Sequence, residues 1–136
     1  MLGYPITLTP DDGALMVACP DLPEVASFGL DEADALRMAS DAIDEALSHR
    51  LATWSDIPRP SDAPGPRAAA PLQTEFKVRL FWALRERGWT RADLVRALGW
   101  KRPQVDRLFD PRHATRLDQY ERAFAALGRT LHLEAA

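Results

Sequence analysis

Two sets of side chains in this 136-residue sequence have types and spacings that invite a chemical reading. The first is acidic: Asp11, Asp12, Asp21, Glu24, Asp31 and Asp34 crowd one stretch of the N-terminal half. A metal-dependent nuclease needs carboxylates that converge on two ions about 4 Å apart. These acids do not read that way. Asp11, Asp12 and Asp21 fall in turn-like segments, and Asp31 and Asp34 are better explained as charges at a helix N-terminus. Cys19 is no better a nucleophile, since it alternates within an apolar strand and nothing identifies His49 as its base. A buried structural thiol is the expectation. His49, His113 and His132 lie far apart and, with a single cysteine, make no metal-ligand spacing. No catalytic residue, metal or cofactor is assigned, and the chain is not expected to be an enzyme.

The second set lies in TRADLVRALGWKRPQVDRLFDP, residues 90–111, which reads as two short helices around Gly99. Such a helix-turn-helix reads DNA when its second helix is exposed and carries donors. Val105 and Leu108 fix the inward side of that helix, leaving Gln104 and Arg107 outward. Glutamine pairs with adenine and arginine with guanine in bidentate fashion. Lys101 and Arg102 precede the helix. Arg91, Arg112, His113, Thr115 and Arg116 surround it, the arginines as candidates to neutralise phosphates. A helical bundle with a basic solvated face fits the same pattern, so both readings stay open on the residues alone.

The net charge of −3 is unevenly spread. Residues 1–65 hold three arginines against twelve acids, a net −9, and residues 66–136 hold fourteen Lys and Arg against eight acids, a net +6. Such asymmetry suggests different partners for the two halves. No run of about 18 apolar residues is present, which argues against a membrane span. The N-terminus has no basic and apolar pattern of a secretory signal. The lone Cys19 fits a reducing, cytoplasmic setting.

The elements that must position these residues follow from periodicity and punctuation. Tyr4, Ile6 and Leu8 alternate with Pro5, Thr7 and Thr9, the period of a half-buried strand. TPDDG is a turn signal, with Gly13 free to take positive φ. LMVAC offers a second strand and VASF a third. Asp31 is a plausible N-cap with Asp34 at the third helical position. Leu36, Ala39, Ile43, Leu47, Leu51 and Trp54 then make one apolar stripe of a long helix. The expectation is an α+β layer, a small antiparallel sheet covered by one helix, over residues 1–54. SDIPRPSDAPGPRAAAP, residues 55–71, holds five of the eleven prolines and reads as a semi-rigid linker. Residues 72–136 read as an all-α domain. Helix stops are expected at Gly88, Gly99 and Gly128, a capping box at Thr90 and Asp93, and a helix start at Pro103. The tail RTLHLEAA alternates like a strand.

The opening YPITLTPDDGALMVACPDLPE, the acidic helix and the ending QVDRLFDPRHATRLDQYERAFAALGRTLHL together resemble HicB-type antitoxins. More narrowly they resemble the subgroup with a C-terminal Cro/repressor-type helix-turn-helix. The resemblance covers nearly the whole chain apart from the linker. It implies a partial RNase H-like N-terminal domain and a partner, the HicA toxin, a small basic mRNA interferase whose catalytic surface the antitoxin covers. It also implies binding to the operator of the antitoxin's own operon as a homodimer or tetramer. On that footing the N-terminal docking region is expected at the hairpin and the Pro20–Glu24 corner. Asp11, Asp12, Asp21 and Glu24 would form a charged rim and Leu22 an anchor. A transcription regulator whose N-terminal domain senses a small ligand is the competing reading.

Overall fold

The computed structural model describes residues 1–136, in ten elements divided between two compact units, Met1–Glu75 and Phe76–Ala136. The protein is α+β. The division falls inside one helix, α2 (Leu72–Arg87).

In the first unit the expected first strand is two short ones. Strand β1 (Gly3–Pro5) pairs antiparallel with β5 (Arg67–Ala69), and β2 (Thr7–Asp11) pairs with β3 (Ala14–Ala18), which pairs in turn with β4 (Ala26–Gly29). Between β1 and β2, the Ile6 N–H donates to the Pro66 carbonyl at 2.9 Å. The strict alternation expected over residues 4–9 fails in β1, where Tyr4 and Pro5 are both buried. The β2–β3 hairpin closes through Asp12 and Gly13, with φ of 48° and 80°. Two successive positive φ values mark a type I′ turn, whose twist matches that of the strands.

The long helix α1 (Glu32–Thr53) starts where its cap predicts, with the Asp34 N–H donating to Asp31 Oδ1 at 2.8 Å. Its buried face runs through Ala35, Ala39, Ile43, Ala46, Leu47 and Leu51. Each large aliphatic side chain there contributes roughly 1.5–3 kcal/mol through burial. The helix packs on β3 and β4. Gly29 shows how closely, because a Cβ there would stand 2.2 Å from the Ala35 nitrogen.

The proline-rich stretch is not simply a spacer. Its last residues form β5, and Ala68 and Ala70 join the core. Before them the chain is pinned by side chains of the first unit. Tyr4 Oη donates to the Pro58 carbonyl at 2.6 Å, and the Ser61 N–H donates to Asp21 at 2.8 Å. Arg67 donates to the carbonyls of Gly3 and Ser61, at 3.1 and 2.6 Å. Prolines remove donors from a segment, so these bonds fall on its carbonyls and its few N–H groups.

The second unit holds the rest of α2, then α3 (Arg91–Leu98), α4 (Arg102–Arg107) and α5 (Leu117–Ala126). Gly88, Gly99 and Gly128 all take positive φ after helix ends. The core includes Leu80, Phe81, Leu84, Leu94, Val105, Leu108, Tyr120 and Phe124. Two expectations need correction. Helix α4 begins one residue earlier than Pro103, with Lys101 as N-cap, so the proline sits within the first turn, where its missing N–H costs nothing. Residues 129–136 form no strand within the chain, and Leu133 is exposed.

Candidate functional site

In the second unit, α3 is closed at its start by Thr90, whose N–H donates to Asp93 Oδ2 at 2.7 Å while Thr90 Oγ1 accepts from the Asp93 N–H at 3.3 Å. At its end the Gly99 N–H donates to the Val95 carbonyl at 2.9 Å, and the left-handed glycine turns the chain toward α4. Val105 and Leu108 are buried, which holds Gln104 and Arg107 exposed on the other side of α4. Gln104 Oε1 also accepts from the Lys101 N–H at 3.0 Å, so this amide closes the first turn of α4.

Gln104, Arg107, His113 and Arg116 are brought together. With Ala114 and Gln119 they line an open depression of about 240 Å³. Four cationic or amide groups and an imidazole around one hollow suit a phosphate or a base edge. Asp106 tethers two further residues of the set, accepting from Arg102 at 3.0 Å and from Arg91 at 3.4 Å. Arg116 pairs with Asp118 at 3.2 Å, and Arg112 stands exposed beside Asp110 at 3.7 Å. Lys101 is exposed at the head of α4.

Thr115 does not belong with these. It is 3% exposed, and its hydroxyl donates to the Arg107 carbonyl at 3.3 Å, so it supports the site from beneath. Sequence reasoning missed Lys77, which is 1% exposed. Its Nζ donates to the Arg107 carbonyl at 3.2 Å and to Thr115 Oγ1 at 3.1 Å, and lies 5.4 Å from the centroid of the Tyr120 ring. Burial pulls its ammonium down to about 8, opposed by the Asp110 carboxylate. The same burial pushes the Tyr120 phenol up to about 12. A signal for Lys77 was available: it shares a helical phase with Leu80, Phe81 and Leu84, the buried stripe of α2.

In the first unit the acids divide. Asp11 and Asp12 are exposed at the hairpin. Glu24 is engaged, because Arg50 donates to both of its oxygens at 2.6 and 2.9 Å while also reaching the Asp56 carbonyl at 2.7 Å. Arg50 holds the Glu24 carboxyl below its ordinary range. Asp21 is half-buried and occupied by the Ser61 N–H. Leu22 is fully buried, its N–H bonded to the Cys19 carbonyl, so it is core and not an exposed anchor. Cys19 is buried as well, and its thiol is pushed up by desolvation.

The exposed apolar side chains of the sheet lie elsewhere. Thr9, Met16 and Phe28 are cross-strand neighbours in one row, with Thr7, Ala18 and Ala26 in the next, all on the face opposite buried Val17. Asp11 shares that face by register, two residues from Thr9. No group of three or more His, Cys, Asp or Glu is placed to hold a metal, and no helix is long and apolar enough to cross a membrane.

A family model described as HicB-like antitoxin of bacterial toxin-antitoxin system matches residues 3–79, more than half of the chain. The chain belongs to the HicB-like antitoxin family. Among its relatives is an Antitoxin HicB of Pseudomonas fluorescens, 37% identical over 142 residues that cover 100% of this chain and 97% of the relative. An Antitoxin HicB of Escherichia coli K12 is 35% identical over 133 residues, 96% of each chain. Antitoxin HicB 1 of Photorhabdus laumondii is 33% identical over 131 residues, 96% of this chain and 84% of the relative. The family model ends inside α2, whereas the similarity to these relatives runs through the helices that carry Gln104, Arg107 and Lys77.

Proposed function

We propose that this chain is the antitoxin of a toxin-antitoxin pair. Its first unit neutralises a HicA-type mRNA interferase, and its second unit represses the operon by binding operator DNA as a homodimer or tetramer in the cytoplasm. The observation that carries this reading is the charge division of a HicB-like chain along its two units. Residues 1–75 carry four arginines against thirteen acids, a net −9, and residues 76–136 carry thirteen Lys and Arg against seven acids, a net +6. An acidic surface speeds encounter with a basic RNA-cleaving partner, and a basic one suits phosphates.

In this reading the toxin docks on the open sheet face. Met16 and Phe28 supply the apolar anchors and Asp11 and Asp12 the acidic rim, because binding energy concentrates in desolvated apolar contacts and rim charges contribute little. On DNA, Gln104 and Arg107 read bases, with Lys101, Arg102, Arg91, Arg112, His113 and Arg116 around them. The test is co-expression of the full chain with the basic product of a neighbouring short gene. Growth rescue, together with a shift of the DNA upstream of the pair, is the expected result. Rescue without a DNA shift removes the repressor half. A DNA shift without rescue or complex formation removes the antitoxin half.

A further inference from the structure

We infer that Lys77 is a positioning residue for DNA recognition, its buried ammonium holding the Arg107 end of α4 in place and tying DNA affinity to the charge it carries. This rests on the reading of the second unit as a DNA binder. The geometry is specific. Helix α4 is short and ends at Arg107, and its last carbonyls are met by tight 3₁₀-type bonds: those of Val105, Asp106 and Arg107 accept from the Leu108, Phe109 and Asp110 N–H groups at 3.0, 3.1 and 3.3 Å. One of them, that of Arg107 itself, accepts from both Lys77 Nζ and Thr115 Oγ1, and Lys77 also donates to Thr115. The three groups form a closed triangle at the backbone of Arg107, which with Gln104 is read above as a base contact. A cation at a helix C-terminus is also favoured by the helix dipole.

A lysine is a costly way to fill a core position, since burial penalises the charged form. An apolar residue would pack there without that cost. What the ammonium adds is donors and a positive charge behind the DNA-facing surface. The groups around it are few. From the loop after α4 comes Asp110, which favours the charged form, and Thr115, which is neutral. From α5 comes Tyr120, whose phenol stays protonated up to about 12 and whose ring face lies toward the ammonium. From α4 comes only the Arg107 carbonyl.

Two consequences follow. The bulk of the phosphates brought near by DNA favours the charged lysine, so binding draws a proton onto Lys77 when the solution is alkaline. Lys77 sits held down to about 8 in the free chain, so the uptake falls in an accessible range. The sign is fixed: affinity is highest below that value and falls as pH rises above it, by up to about tenfold per pH unit, the limit for one linked proton.

The experiment uses the full chain and a fragment of its upstream DNA, at constant salt, between about pH 7 and about pH 9. Expected for the wild type is an affinity that declines across the range. Expected for Lys77→Met, which keeps the length and apolar stem, is weaker binding at the lower pH and a flat profile. The side-chain ¹³Cε resonance of Lys77 in the unmodified chain provides a measurement that no folding defect can blur. Its titration midpoint should rise when DNA is added. A midpoint that does not move with DNA, or a Lys77→Met profile as steep as that of the wild type, overturns the inference. A wild-type chain that fails to bind the fragment at any pH overturns the DNA-binding reading instead.

Discussion

In the acidic first unit, the corner residues that stood out by charge are mostly spoken for. Glu24 is held in two bonds by Arg50 and Asp21 by the Ser61 N–H, while Asp11 and Asp12 stay exposed on the hairpin. In the basic second unit the opposite sorting occurs. Arg91 and Arg102 share Asp106 at the margin, but Gln104, Arg107, His113 and Arg116 gather around one hollow. The difference teaches that a charge counts toward a surface only after internal pairing is subtracted. Where the chain folds against itself over long distances, as around Glu24, acids become structural. Where a short helix is held by its apolar side and by bonds to its backbone carbonyls, its outward polar side chains remain available.

This contrast can be broken most severely at Gly29. Gly29→Val places a side chain where a Cβ already meets the Ala35 backbone at 2.2 and 2.4 Å. The expected loss is about 3 kcal/mol or more from the first unit, since α1 has to move off β4. Denaturant unfolding of the full chain measures it, with DNA affinity retained. Loss of both would show that the second unit depends on the first.

Leu22 comes next. Leu22→Ala should cost about 2–4 kcal/mol of stability by cavity formation. Asp11→Lys should change stability by less than about 0.5 kcal/mol and slow association with the toxin in a salt-sensitive way. Stopped-flow mixing at two ionic strengths, with melts of each variant, separates core from rim. A stable Leu22→Ala variant that has lost the toxin would reinstate Leu22 as an anchor.

Within the second unit, Arg107→Ala should cost about 1–3 kcal/mol and relax preference at one base pair, whereas Arg116→Ala should weaken all sequences and lower the salt slope by about one. Binding to a panel of single-base operator variants distinguishes them. If both substitutions weaken every sequence alike, Arg107 is a phosphate contact.

The smallest effect is expected at Glu24. Its folded carboxyl is held below the ordinary range by Arg50, so the unfolded chain binds protons more readily in acid. The contribution is therefore full above the ordinary glutamate value near 4.5 and is lost as pH falls through the folded one. With side chains 22% and 39% exposed, the pair is worth only about 0.2–1 kcal/mol after solvent screening. Glu24→Gln should flatten that acid limb of a stability–pH curve, and an unchanged limb would assign it to other carboxylates.

Much of the local architecture was legible from residues alone. The Asp12–Gly13 turn, the Asp31 cap with Asp34, the Thr90–Asp93 box and the glycine stops all depend on residues a few positions apart. The outward pair Gln104 and Arg107 was legible for the same reason, since helical phase fixes sidedness. What escaped was non-local. No period in residues 55–71 announces that Arg67–Ala69 will pair with Gly3–Pro5, because three-residue strands carry almost no pattern. Leu22, next to a turn and flanked by acids, looked exposed until Cys19 and Val25 folded it inward. Thr115 and Lys77 were misread or missed because burial of a polar group depends on a partner far along the chain.

The pairing of β1 with β5 also sets a schedule. Gly3 finds Ala69, the Ala70 N–H finds the Leu2 carbonyl, and the Leu2 N–H finds Glu75, so the first unit is closed by contacts between its opposite ends. Such contacts form late, since the intervening loop must be closed first, and during synthesis the chain emerges N-terminus first. A nascent polypeptide halted after α1 has the hairpin and the long helix but lacks Pro58, the acceptor for Tyr4, and Glu75, the acceptor for Leu2. The first unit can therefore complete itself only once Glu75 has cleared the ribosome. An interruption of translation before β5 has been made leaves a fragment whose β1 has no β5 to pair with.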